Sequence, residues 1–199
     1  MRVLVVGASG TIGQAVVQAL STRHEVVRAS RSRSEVKVDI TDPESIRRMY
    51  RNTGRVDAVV SAAGDGKFGP LDVLTDEDFR FTLVSKLMGQ INLVRYGIED
   101  VNDRGSFTLT SGILFEQPTP GSGAIAPANG ALIGFVRAAA LELPRGIRIN
   151  CCSPGWVSET LKAMGMDPKD GTPADVVARD YVASIEGSFS GRSLRNFGS

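Results

Sequence analysis

The chain opens on a short β-branched run, Val3 to Val6, and passes through G-A-S-G-T-I-G into apolar positions at Ile12, Val16, Val17 and Leu20, the spacing of one helix face. This is strand, glycine turn, helix. Further apolar runs predict strands at Glu25 to Ala29, Val36 to Ile40, Val56 to Ala63 and Ser106 to Thr110. Ile147 and Ile149 begin a sixth, closed by Pro154 and Gly155, and Ser193 to Phe197 fits a small edge strand. Between them lie helical stripes. Asp42 and Pro43 cap a helix running to about Arg51. Thr75 with Asp78 has the form of a capping box and leads into Phe79, Leu83, Leu87, Ile91, Val94 and Ile98. Leu132, Phe135, Val136, Ala139 and Leu143 mark another helix, stopped by Pro144, and Ala174 to Ile185 a last one.

Strands alternating with helices predict an α/β fold, a three-layer, doubly wound parallel sheet of six to seven strands with helices on both faces. One crossover is too short for its helix. About five residues, Ser30 to Ser34, separate strands 2 and 3, where a parallel connection normally takes a dozen or more. Fully extended, such a segment reaches roughly 16 Å, just enough to return along a short strand. The helix between strands 2 and 3 is therefore expected to be missing.

At 199 residues the chain fits one domain, spanning 1–199. With 42% hydrophobic and 23% charged residues it has an ordinary globular composition. Its 23 Lys and Arg offset 22 Asp and Glu, and a net charge of +1 gives no reason to propose nucleic acid or an anionic membrane as partner. Only four consecutive apolar residues precede the first glycine, too few for a signal-peptide core or a membrane span, so a cytoplasmic location is expected. Cys151 and Cys152 are adjacent, which suits neither a disulfide framework nor a zinc site, and with one histidine no metal centre is expected. That histidine, His24, precedes strand 2 at the wrong end of the sheet for ligands and is expected on the surface.

The first turn carries the candidate chemistry. Gly7, Gly10 and Gly13, with Ser9, Thr11 and Ile12 between them, stand where backbone N–H groups at a helix N-terminus can meet a pyrophosphate. An NAD-selective protein usually places a carboxylate at the end of strand 2, but here that end reads R-A-S-R-S-R. Arg31 and Arg33 can instead pair with a 2′-phosphate, so NADP(H) is expected over NAD(H).

At this point the chain resembles the short-chain dehydrogenase/reductase family over nearly its whole length. Gly7 to Gly13 looks like the family's glycine motif, Asp39-Ile40 like its adenine contact, and Ser61-Ala62-Ala63-Gly64 like its N-N-A-G segment. Ser111 falls where the catalytic serine ends the fifth strand. Asn150 through Pro154-Gly155, with Val157 and Thr160 just beyond, looks like the segment that holds the nicotinamide carboxamide. The resemblance implies a Rossmann-like dinucleotide fold, a small carbonyl or alcohol substrate, and a homodimer or homotetramer packed through the long helix carrying Lys86 and the helix after residue 125. The segment Glu159 to Pro173, with Leu161, Met164 and Met166, is expected to cover the substrate.

The resemblance breaks at the family's Y-x-x-x-K pair. In the register set by N-G-A-L-x-x-F, Ile125 stands at the tyrosine position and Asn129 at the lysine position. Ile125 can donate no proton, and a positioned donor typically contributes about a hundred- to ten-thousand-fold to such a step. Tyr50, Tyr96 and Tyr181 offer no evident replacement. By its spacing to Gly89, Lys86 lies where the family has asparagine, so lysine and asparagine look exchanged. It also lies seven residues after Phe79, on the apolar stripe, where a lysine is costly unless paired or functional. One reading gives Lys86, Ser111 and Asn129 an altered proton-delivery site; the plain alternative is a lysine reaching past the stripe to solvent. Three functions stay open: an NADP(H)-dependent oxidoreductase, a nucleotide-binding sensor or module that has lost chemistry, and an isomerase on the same fold.

Overall fold

The computed structural model describes residues 1–195. Seven parallel strands form one sheet in the order β3-β2-β1-β4-β5-β6-β7: β1 (Arg2–Val6), β2 (Glu25–Ser30), β3 (Val36–Lys37), β4 (Val56–Ser61), β5 (Val101–Thr110), β6 (Arg148–Cys152) and β7 (Ser193–Leu194). The doubly wound parallel sheet is thus as the sequence pattern implies. Of the expected edge strand, Ser193 and Leu194 pair with Cys151 and Cys152, and its end at Phe197 lies outside the described residues.

Helices α1 (Thr11–Leu20) and α7 (Ala174–Glu186) cover one face, and α2 (Pro43–Thr53), α4 (Gly89–Gly97) and α5 (Ile125–Glu142) the other. Alternation along β1 feeds both cores: Val3 and Val5 pack with Val16, Val17 and Leu20, and Leu4 and Val6 with Ile46, Met49 and Leu93. Both faces being buried explains why β1 reads as a continuous apolar run. The sheet face under α7 is partly polar but internally satisfied. Thr108 Oγ1 meets Ser184 Oγ at 2.7 Å, and Thr110 Oγ1 meets the Tyr181 hydroxyl at 2.6 Å.

No helix joins β2 to β3, as the linker length requires. The Lys37 ammonium ties the link down by donating to the carbonyls of Ser32 and Ser34 at 2.6 Å each. Strand β3 is shorter than its apolar run because Asp39 turns the chain. Its carboxylate accepts from the Thr41 N–H and hydroxyl at 2.9 and 2.8 Å, and Asp42 then caps α2 through the Glu44 N–H. Strand β5 begins at Val101, five residues before the expected start, because its register against β4 shifts between Val56 and Ala58.

The long helix holds the main correction to the sequence pattern. It runs as α3 (Asp76–Thr82), a π-helical segment (Leu83–Met88) and α4. Phe79, Leu83 and Leu87 do not form one buried stripe: Leu83 is exposed while Leu87 packs against the core, and the π-turn changes the helix phase across Leu83–Met88. The inward face is instead largely polar: Thr82, Ser85 and Gln90 are buried and serve the loops that end β4 and β5. Thr82 Oγ1 accepts from the Lys67 N–H and Ser85 Oγ from the Asp65 N–H, each at 2.9 Å. Hydrophobic periodicity cannot see a face chosen for hydrogen bonding.

His24 is a second correction. Its side chain is only 10% exposed and meets Glu186 at 2.9 Å, joining the start of β2 to the end of α7. The expected capping box is present, Thr75 and Asp78 satisfying each other's backbone N–H groups. Thr75→Ala is expected to lower unfolding stability by about 1 kcal/mol, read as a reduced urea midpoint at unchanged slope.

Candidate active site

The C-terminal ends of β1, β4, β5 and β6 open onto two clefts that share the Ala62–Gly64 backbone. The first lies over the glycine turn. Gly7 has φ 84°, and a Cβ there would stand 2.5 Å from the Ala62 carbonyl oxygen. A Cβ on Gly13 would run into the Gly7 carbonyl, so α1 can approach β1 this closely only with glycine. Gly10 caps α1 without a side-chain acceptor, leaving the first-turn amides of a ten-residue helix for an anion.

This cleft, about 310 Å³, continues past Ser9 and Ser30 to Arg31, with Val38 and Ile40 on its far wall. Arg31 is held across it by Asp65 at 3.3 Å. Arg33 borders an adjoining groove with Ser9, Gln14 and Arg28. The two arginines thus flank the serine of the glycine turn from two sides. The Asp39 carboxylate is engaged with Thr41, and it is its neighbours Val38 and Ile40 that line the cleft.

The second cleft, also about 310 Å³, brings Lys86, Ser111 and Asn129 together with Ile12, Pro154, Gly155 and Val157. Gln90, buried behind the lining, braces its wall. The amide donates to the carbonyls of Lys86 and Thr110 at 2.9 and 2.8 Å and accepts from the Thr110 N–H at 2.8 Å, pinning the π-helical segment to the end of β5. Lys86 Nζ then reaches the Ser111 carbonyl at 3.4 Å. Lys86 is partly exposed on the cleft wall rather than extended past it to solvent. Burial pushes its ammonium down to about 8, opposed by the weaker pull of Asp65.

The Ser111 hydroxyl donates to the Asn129 carbonyl at 2.9 Å, closing β5 onto α5. The Asn129 side-chain oxygen is buried without a partner among the described residues. Ile125, the first residue of α5, lines the cleft opposite Gly66, where a Cβ would meet its Cγ1 at 2.7 Å. No tyrosine reaches the site: Tyr50 donates to the Leu93 carbonyl at 2.6 Å, Tyr181 is buried against Thr110, and Tyr96 stacks on Arg47.

Several expected positions differ. Thr160 sits on α6 (Ser158–Ala163), and among the described residues it does not line the cleft. Of the segment expected to cover the substrate, Leu161 is buried while Met164 and Met166 face solvent; the chain just before it supplies the wall through Trp156. Trp156 meets Phe68 edge to face at 6.1 Å, and Ile113 and Leu114 add a further apolar wall. Sequence reasoning missed these four and Gln90. A lone tryptophan after P-G was the one available signal. Among the described residues no group of three potential metal ligands occurs, and no helix is long and apolar enough to cross a membrane.

Residues 4–183 match the family model described as enoyl-(acyl carrier protein) reductase. The chain is 44% identical to the protein lin1944 from Listeria innocua, with a TM-score of 0.93 over 99% of this chain and 100% of that one. A small-chain dehydrogenase solved in complex with NADPH is 25% identical, with a TM-score of 0.87 over 98% of this chain and 95% of the other. Among curated relatives, hydroxynaphthalene reductase arp2 of Aspergillus fumigatus is 30% identical over 160 residues, and L-fucose dehydrogenase of Oryctolagus cuniculus 30% over 183. Those alignments take in 78% and 77% of this chain but only 56% and 63% of the relatives' lengths. With the glycine turn, the serine at the end of β5 and the sheet order all in place, the chain belongs to the short-chain dehydrogenase/reductase family.

Proposed function

We propose that the chain is an NADP(H)-dependent oxidoreductase acting on a small carbonyl or alcohol, with Lys86 in place of the tyrosine as proton donor. The observation that carries it is the pair of clefts joined at Ala62–Gly64, one ending in arginines and the other in an ammonium. The residues present fit a nicotinamide dinucleotide: Gly7 and Gly13 keep clear the volume a Cβ would fill, and the unpartnered Asn129 oxygen offers an acceptor on the second cleft. When bound, such a cofactor supplies or accepts hydride. Gly7 to Gly13 would hold its diphosphate, Arg31 and Arg33 a 2′-phosphate, and Pro154, Gly155 and Val157 the nicotinamide end. The small-chain dehydrogenase with NADPH supports the choice of cofactor by analogy.

Lys86 then does the acid–base work. A desolvated ammonium near pH 8 gives up its proton more readily than an exposed lysine, and the Ser111 carbonyl orients it. Ser111 fixes Asn129 and thereby the start of α5. Exposed Phe81, Leu83, Val84 and Met88 on the long helix support a homodimer or homotetramer through that helix and α5. Buried, unpaired Cys151 and Cys152 suit a reducing cytoplasm. Ile125 favours the second reading, a sensor without turnover.

Cofactor choice is checked directly by Arg31→Ala/Arg33→Ala. Losing charge-assisted contacts to a phosphate worth about 1.5–3 kcal/mol each, the double variant is expected to bind NADPH at least about tenfold more weakly by fluorescence titration, with NADH affinity little changed. Equal loss for both coenzymes would remove the 2′-phosphate assignment.

A further inference from the structure

Beyond the two clefts, the described residues gather positive charge at one other place. A cleft of about 310 Å³ lies between α5 and the segment entering β7, lined by Arg137, Arg192, Arg195 and Glu116 together with Ser153 and Ser193. Gly191, at φ 76°, lets that segment pass against α5, where a Cβ would stand 3.2 Å from the Cβ of Ala140. The backbone of Arg192 is then fixed. Its N–H donates to Asn150 Oδ1 at 3.0 Å, and its carbonyl accepts from the Cys151 N–H at 2.9 Å. Among the described residues only Arg195 meets a carboxylate, that of Glu116 at 2.9 Å, while the guanidinium groups of Arg137 and Arg192 meet none. Three arginines against one glutamate leave two positive charges unbalanced. The Ser153 and Ser193 hydroxyls meet at 2.8 Å; one of their two protons serves that contact, and the second can turn to a ligand.

We propose that this arginine cleft binds a phosphate dianion, free or at the end of a small phosphomonoester. A carboxylate carries one charge and two oxygens, which a single guanidinium satisfies, so it would leave the second arginine without an anion. A phosphate matches both cations in charge, and its oxygens can accept from two guanidinium forks and the serine hydroxyl. No coenzyme enters, so the site stands or falls apart from the oxidoreductase reading. It also shares a wall with the second cleft. Ser153 immediately precedes Pro154 and Gly155, Glu116 follows the turn carrying Ile113 and Leu114, and the Ile113 N–H donates to the Pro154 carbonyl at 3.0 Å. A ligand that draws Arg195 from Glu116 therefore releases a loop whose other side lines the second cleft. Trp156, the chain's one tryptophan, lines that cleft too and can report the change.

Isothermal titration in phosphate-free buffer reads the site, with Arg31→Ala/Arg33→Ala as the background so that those arginines cannot answer in its place. Inorganic phosphate and glycerol 3-phosphate are each expected to bind saturably, and acetate at least about tenfold more weakly. Adding Arg137→Gln/Arg192→Gln, folded by circular dichroism, is expected to weaken phosphate binding by at least about tenfold; Arg137→Lys, which keeps the charge but not the fork, is expected to weaken it less. Glycerol 3-phosphate binding tighter than inorganic phosphate would assign the site to a phosphomonoester, and equal or weaker binding to the free ion. Saturation is expected to shift the fluorescence emission of Trp156. No saturable heat, undiminished binding in the folded Arg137→Gln/Arg192→Gln protein, or acetate bound as tightly as phosphate would overturn the inference. Unchanged Trp156 emission at saturation would overturn the link to the second cleft alone.

Discussion

Lys86→Met is expected to remove turnover and to make the protein more stable at the same time. Loss of a positioned proton donor costs about a hundredfold or more in rate, while the glycine turn and its arginines are untouched, so NADPH affinity should stay within about twofold. The stability gain follows from linkage. The folded-state value of Lys86, about 8, lies below its ordinary unfolded value, so the folded protein binds fewer protons between the two, and stability rises as pH increases through that window. Below pH 8 the full desolvation cost is present. A depression of two units or more corresponds to about 3 kcal/mol, which partial exposure on the cleft wall reduces to about 1–2 kcal/mol. Methionine of similar length removes that cost. At about 2–4 °C per kcal/mol, the midpoint at pH 7 should rise by roughly 2–8 °C, with the gain shrinking toward pH 10. Scanning calorimetry at pH 7 and pH 10 reads it. A variant that loses rate but gains no stability would show Lys86 to be satisfied in the folded protein in a way the cleft does not reveal. The same lysine is expected to give the wild type an alkaline limb, with rate falling as pH rises through about 8.

Gly13→Ala is expected to damage both folding and coenzyme binding. The added methyl meets the Gly7 carbonyl, a backbone atom that cannot rotate away, so α1 must move off β1 or the turn must open. Overpacking of this kind costs about 1–3 kcal/mol or more. The displaced helix carries the amides proposed to hold the diphosphate, so NADPH affinity should fall by at least about tenfold even in the folded fraction. Circular dichroism with a parallel fluorescence titration separates the two losses. Gly134→Ala is a fitting control, since among the described residues no atom beyond its own stretch of α5 lies within 4 Å of a Cβ there.

How far the fold was legible follows from where burial alone decides the pattern. Strand β1 and helix α1 are buried against two cores, and their periodicity is read without ambiguity. The five-residue link between β2 and β3 was legible from chain length alone. Strand β3 and the inward face of the long helix were not, because there hydrogen bonding overrides hydrophobicity: Asp39 turns the chain through Thr41, and Thr82, Ser85 and Gln90 face inward to cap loops. The π-helical segment leaves no mark in the sequence, yet it sets where Lys86 points. At the site, glycine spacing and the R-A-S-R-S-R segment located the first cleft. The apolar lining of the second, Ile113, Leu114 and Trp156, comes from short loops whose direction depends on tertiary packing.

The glycine turn and its flanking arginines are expected to form a coenzyme site. Isothermal titration of the purified protein with NADPH, with NADH in a parallel cell, tests this most directly. Saturable binding of one NADPH per chain, at least about tenfold tighter than NADH, is the expected result. Absence of heat and of protection from thermal unfolding with both coenzymes would contradict it.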